Sequence, residues 1–106
     1  MRDDPIRTDA TIRFRFLTPE EGGRRDPIVY EYRHLCRTPG QPRGEFWSTF
    51  VYPEGRTLEP GQSYDLSVAF VADTLVLSIL KTGDAIELWE GPVKKVADGV
   101  VLSVRA

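Results

Sequence analysis

Thr11-Ile12-Arg13-Phe14-Arg15-Phe16 alternates polar and apolar side chains three times in succession. Neighbouring side chains on an extended chain point to opposite faces. The run therefore reads as a half-buried strand, with Ile12, Phe14 and Phe16 inward and Thr11, Arg13 and Arg15 outward. The same period recurs along the chain. Residues 29–37 set Tyr30, Tyr32 and His34 against Glu31, Arg33 and Leu35. Residues 45–52 are rich in aromatic rings, and residues 63–72 align Tyr64, Leu66, Val68 and Phe70. Residues 85–89 and 100–104 complete six predicted strands. Gly22-Gly23, Pro39-Gly40, Pro60-Gly61, Gly91-Pro92 and Gly99 fall between these runs, where Gly and Pro set turn geometry. Residues 75–81 fit either a helical turn or a further short strand. Short strands with turn signals between them predict an all-β sandwich or small closed barrel, and closure would also remove exposed strand edges.

The chain has 106 residues, 41% hydrophobic and 28% charged, which suits one globular domain and leaves no room for a large enzyme. We expect the domain at residues 10–105, after a polar leader at 1–9 that holds three Asp, two Arg and Pro5. The start of the chain has no apolar stretch of secretory type, and Asp73-Thr74 interrupts the apolar residues 66–80 well short of a membrane span. The expectation is a soluble cytoplasmic protein that makes no membrane contact. Cys36 is the one cysteine, so no internal disulfide forms.

The net charge of −2 hides an uneven distribution. Eleven of the fourteen basic residues are Arg. From Arg13 to Arg43 seven Arg face four acids, a local +3, whereas residues 57–106 carry seven acids against four bases, a local −3. The guanidinium fork suits carboxylates, phosphates and stacked rings. The Arg-rich half is either an ion-paired surface or a face for an anionic or RNA partner.

Catalytic ingredients are sparse. His34 and Cys36 share a strand face, but side chains two residues apart are rooted roughly 6–7 Å from one another, which does not favour a dyad. A core cysteine beside a partly buried histidine is the plainer reading. One His and scattered acids predict no metal site, and the absence of a phosphate-binding Gly-x-x-x-x-Gly-Lys loop predicts no nucleotide binding. No catalytic residue and no cofactor are expected.

After the first strand comes Leu17-Thr18-Pro19-Glu20-Glu21-Gly22-Gly23-Arg24-Arg25-Asp26-Pro27-Ile28. This run resembles the C-terminal β-barrel domain of the translation elongation factor Tu family, whose first strand ends in a Leu-Thr/Ser-x-Glu-Glu-Gly-Gly-Arg loop. Tyr32-Arg33-His34-Leu35-Cys36-Arg37-Thr38 is similar to the family's following strand, and residues 80–91 and 96–101 look like its closing strands. The resemblance covers roughly residues 10–104. It implies a six-stranded antiparallel barrel whose relatives contact aminoacyl-tRNA, a GTPase domain and exchange partners. On it, Arg24 matches the family's loop base, and Arg33 and Arg37 match its second-strand bases. The Arg of the family's closing loop is missing from Glu90-Gly91-Pro92-Val93-Lys94, leaving Lys94 or Lys95 in its place.

Three functions are open from the sequence. One is a non-catalytic module for a protein partner, translation-related or the chain itself, with Trp47 and Trp89 as anchors, since aromatic residues and Arg dominate interface hot spots. Another is an RNA or tRNA-binding barrel using Arg24, Arg25, Arg33, Arg37 and Lys94. The third is an enzyme built on His34 and Cys36. The near-neutral total charge favours the first.

Overall fold

Ile12, Phe14 and Phe16 point into a closed barrel and are buried there. The computed structural model describes residues 7–30, 32–42 and 45–105. The leader residues 1–6, Glu31 and Arg43 lie outside the described residues. The elements are β1 (Ala10–Phe16), a 3-10 turn (Pro19–Glu21), β2 (Tyr32–Arg37), β3 (Trp47–Tyr52), β4 (Ser63–Phe70), α1 (Asp73–Ile79), β5 (Ala85–Glu90) and β6 (Lys94–Val104). All six strands are antiparallel and close in the order β1-β4-β3-β2-β5-β6, so β1 and β2 stand on opposite sides. The described residues are thus mostly rather than wholly β, with one short α-helix among them.

Register explains the core. On β1, Ile12 sits opposite Leu66 of β4 and Val101 of β6. On β2, Cys36 sits opposite Trp47 of β3 and Leu88 of β5. These side chains, with Val51, Val68, Phe70, Ile86 and Val96, form one apolar cluster. Tyr64 stands at the edge of this cluster, and its hydroxyl accepts from the Glu59 N–H and donates to the Thr57 carbonyl, tying down the loop before β4.

Several boundaries differ from the sequence reading, each for a tertiary reason. The second strand starts at Tyr32 rather than at 29; Val29 and Tyr30 are exposed, while Ile28 exchanges two backbone hydrogen bonds with Leu58 across the barrel's loop end. The fourth strand stops at Phe70, and the ambiguous segment is helical. The last strand is much longer than predicted because Gly99 lies inside it. A Cβ at Gly99 would come within 2.7 Å of the Phe14 ring, so this glycine is a seat for a core aromatic and not a turn. Asp9, placed in the polar leader by sequence, is fully buried. Its carboxylate accepts from the Phe70 N–H (2.8 Å), Arg105 Nη2 (2.9 Å) and Arg7 Nε (3.2 Å), fastening the start of β1 to the ends of β4 and β6.

Candidate functional site

The Glu-Glu-Gly-Gly-Arg segment folds as a capped 3-10 turn. The Glu21 N–H donates to Thr18 Oγ1, and the Thr18 N–H donates to Glu21 Oε1, a reciprocal capping box. Arg15 grips both oxygens of Glu21 (3.1 and 2.8 Å). That fork, together with the Thr18 N–H, holds the Glu21 carboxyl down at about 2. Gly22 follows at φ 93°, a left-handed conformation, and a Cβ on Gly23 would collide with the Leu17 carbonyl at 2.3 Å. Both glycines are therefore required, and the turn they make leads to Arg24, which reaches the end of β5.

Arg24 reaches Glu90 at the end of β5, and its Nε–H donates to the Asp26 carbonyl (3.0 Å). The same Glu90 oxygen lies 3.5 Å from Nε2 of His34, whose side chain is fully buried. Glu90 thus stands between the buried His34 ring and the Arg24 guanidinium. Beside this pair, Arg24, Arg25 and Lys94 line an open cleft of about 390 Å³ with Glu90 and Asp26. Among the described residues, no ion pair engages Arg25 or Lys94. Arg24 is committed to the fold; Arg25 and Lys94 are the available charges.

Arg33 and Arg37 sit elsewhere, on the outer face formed by β2, β3 and β5. Arg33 is exposed and touches Ser48 Oγ at 3.3 Å. Arg37 donates through Nη2 to the Gln41 carbonyl (2.6 Å), lies 3.6 Å from Glu87 and stands 5.6 Å from the Phe46 ring centre. Phe46 in turn meets Trp89 edge to face, with centroids 5.5 Å apart and planes 68° apart. The Trp89 indole N–H donates to Glu87 Oε1 (3.0 Å), which fixes the ring without burying it. Leu35, opposite Trp89 in register, and Phe50, opposite Arg33, are half-buried on these strands.

The two tryptophans part company. Trp47 is only 8% exposed and packs edge to face on Phe70 inside the barrel, so it is a core ring and not an interface anchor. Register decides this: Trp47 pairs with inward Cys36, which puts Trp47 inside and leaves its neighbour Phe46 near the outer Trp89. Cys36 is fully buried, and burial pushes its thiol up to about 12 despite a hydrogen bond with Thr49. It is a protonated thiol closed off from solvent, unlike a reactive thiolate.

No known protein family and no curated protein matches this chain. The assignment therefore rests on the residues. Among the described residues, no group of three His, Cys, Asp or Glu could hold a metal ion, and no helix is long and apolar enough to cross a membrane. Of the residues singled out in the sequence, the structure brings Arg24, Arg25 and Lys94 to the cleft, and sets Arg33, Arg37 and Trp89 on the β2–β3–β5 face. Sequence reasoning missed Glu90 as the joint between Arg24 and His34. The available signal was its place at the end of a predicted strand, one residue before the Gly91-Pro92 turn.

Proposed function

We propose that this protein is a non-catalytic binding module that docks a protein partner on the outer β2–β3–β5 face. The observation that carries the reading is the Phe46–Trp89 pair. Two large rings sit in mutual contact on the outside of a barrel whose interior is already filled by Phe14, Phe70 and Trp47. Aromatic side chains flanked by Arg33 and Arg37 have the composition of an interface centre, where a few Trp, Tyr and Arg residues supply most of the binding energy. The closed six-stranded antiparallel barrel, together with the Glu-Glu-Gly-Gly-Arg turn, is compatible with the elongation factor Tu C-terminal domain. That likeness supports a partner from the translation apparatus.

The test is affinity capture from native lysate with the wild type, the Phe46→Ala/Trp89→Ala double variant and Arg13→Ala on the opposite face. The double variant should lose a specific protein that the wild type and Arg13→Ala both retain. Recovery of the same proteins by all three would overturn the reading.

The cleft cations favour a second reading, an RNA or tRNA contact through Arg25 and Lys94. Arg24 contributes less here, since Glu90 neutralises it. Titration with tRNA at low ionic strength decides the matter: binding at micromolar concentration that weakens steeply with salt supports it, and no binding at tens of micromolar excludes it.

A further inference from the structure

The side chains of the outer β2–β3–β5 face form rows across the strands. Leu35 of β2 lies between Ser48 of β3 and Trp89 of β5, with Arg37 beside Glu87 on one side of it and Arg33 beside Phe50 on the other. The charges in these rows have unequal fates. Glu87 accepts from the Trp89 indole N–H at 3.0 Å and lies 3.6 Å from Arg37 and 4.0 Å from Lys95, whose ammonium also meets Asp98 at 3.0 Å. Arg37 and Lys95 are thereby neutralised within the barrel. Arg33 is exposed and touches the Ser48 hydroxyl at 3.3 Å, with no carboxylate partner among the described residues. An open guanidinium therefore stands next to half-buried Leu35 and Phe50, on the same face as the Phe46–Trp89 pair.

Taking this face as the docking surface, we propose that its partner is an acidic, apolar-rich protein segment that sets a carboxylate on Arg33 and a large apolar side chain on Leu35 and Trp89. The guanidinium fork of Arg33 can take both oxygens of a carboxylate, as Arg13 does with Asp65 on the opposite side of the barrel. A basic segment would instead place like charge on Arg33 and leave it unpaired at a desolvated contact. The surroundings separate a protein segment from a nucleic acid. A phosphate backbone carries a charge at every nucleotide and is held by several open cations. Arg33 is flanked instead by apolar groups and by cations that Glu87 and Asp98 already neutralise. Spacing adds a constraint. Arg33 and Leu35 are same-face neighbours on a strand, roughly 6–7 Å apart. The partner's acid and apolar residue must match that distance, as residues two apart on an extended chain or four apart on a helix do. β2 is paired on both sides at Leu35 and Cys36, so the segment is read there through side chains rather than by strand addition.

Selection of a random dodecapeptide phage library on the full-length protein tests the proposal. The enriched peptides should carry Asp or Glu two or four positions from Leu, Phe or Trp. A synthetic copy of the enriched sequence should bind Arg33→Glu about tenfold more weakly, or worse, than the wild type. It should bind Arg25→Glu, in the cleft, as it binds the wild type. Selection on Arg33→Glu should turn the consensus to Lys and Arg. Unchanged melting temperatures verify that both variants are folded. A consensus without acids, an acidic peptide that binds Arg33→Glu and wild type alike, or no enrichment over the bare support overturns the proposal. So does tRNA binding that Arg33→Glu abolishes, since phosphate is then the ligand. The acidic partner and the docking face fail separately. Loss of peptide binding in Phe46→Ala/Trp89→Ala alone, with Arg33→Glu unaffected, sinks the first and keeps the second. A peptide that binds both variants as well as the wild type sinks both.

Discussion

Arg13 and Arg15 on β1 and Arg33 and Arg37 on β2 occupy the same kind of position on opposite sides of the barrel, outward on half-buried strands. Their surroundings differ. Arg13 closes a two-point fork on Asp65 (2.8 and 3.2 Å), and Arg15 does the same on Glu21. Both guanidinium groups are thereby held in their charged form, chiefly by these hydrogen bonds. On β2, Arg33 has one long contact to a hydroxyl, whereas Arg37 is held by the Gln41 carbonyl (2.6 Å) and Glu87 (3.6 Å) and lies beside Phe46, with Trp89 next to that ring. One side uses its arginines to complete the fold. The other ties down Arg37 beside the aromatic rings and leaves Arg33 with no carboxylate partner among the described residues, in keeping with a role in recognition.

The contrast predicts that changes at Arg13 and Arg15 cost stability and spare binding, with the reverse at Arg33. The largest effect is expected at Gly99, beneath Phe14. Gly99→Val forces a side chain into the ring and should lower the unfolding free energy by about 3 kcal/mol, the upper end for overpacking, read from the urea midpoint. Arg24→Ala comes next. It removes the guanidinium paired with the largely buried Glu90 and should cost about 1–2 kcal/mol, as for a charge-assisted hydrogen bond. Arg25→Ala, in the same cleft, should change stability by less than about 0.5 kcal/mol. A reversal of that order would break the division between fold-committed and available arginines.

The smallest expected effect is electrostatic and confined to acid. Glu21 has its pKa lowered from 4.5 to about 2, mainly by Arg15, and Asp65 is lowered mainly by Arg13. A carboxylate held down in the folded state adds stability that is fully present above its unfolded pKa. For Glu21 that contribution disappears as pH falls from about 4.5 to about 2. In Arg15→Gln the Glu21 carboxyl should titrate well above about 2 but still below 4.5 by side-chain NMR, because the Thr18 N–H still donates to it, while Arg33→Gln should leave it where it is.

Much of the barrel was legible because the alternation of residues 11–16 and 63–70 is a direct print of one wet face and one dry face. The misreadings came from residues whose letter has two physical meanings. Gly99 looks like a turn glycine, yet serves as the seat of the Phe14 ring. Phe46 and Trp47 are adjacent, so one must face in and one out, and only the register against Cys36 selects Trp47 for the core. Asp9 looks solvated until Arg7, Arg105 and the Phe70 N–H are brought around it from positions far apart in the chain. For the site, the Arg residues were visible but their fates were not. Whether an arginine is spent on Glu90, Asp65 or Glu87, or left with a single hydroxyl contact, depends on contacts between strands remote in sequence.

The central claim is that the β2–β3–β5 face is a protein-docking surface. Site-specific photo-cross-linking tests it most directly, with a photoreactive side chain placed at Ser48 on that face or at Ser103 on β6 and activated in native lysate. The account predicts one discrete protein adduct from position 48 that is absent from position 103. No adduct from position 48, the same adducts from both positions, or an adduct to RNA alone would contradict it.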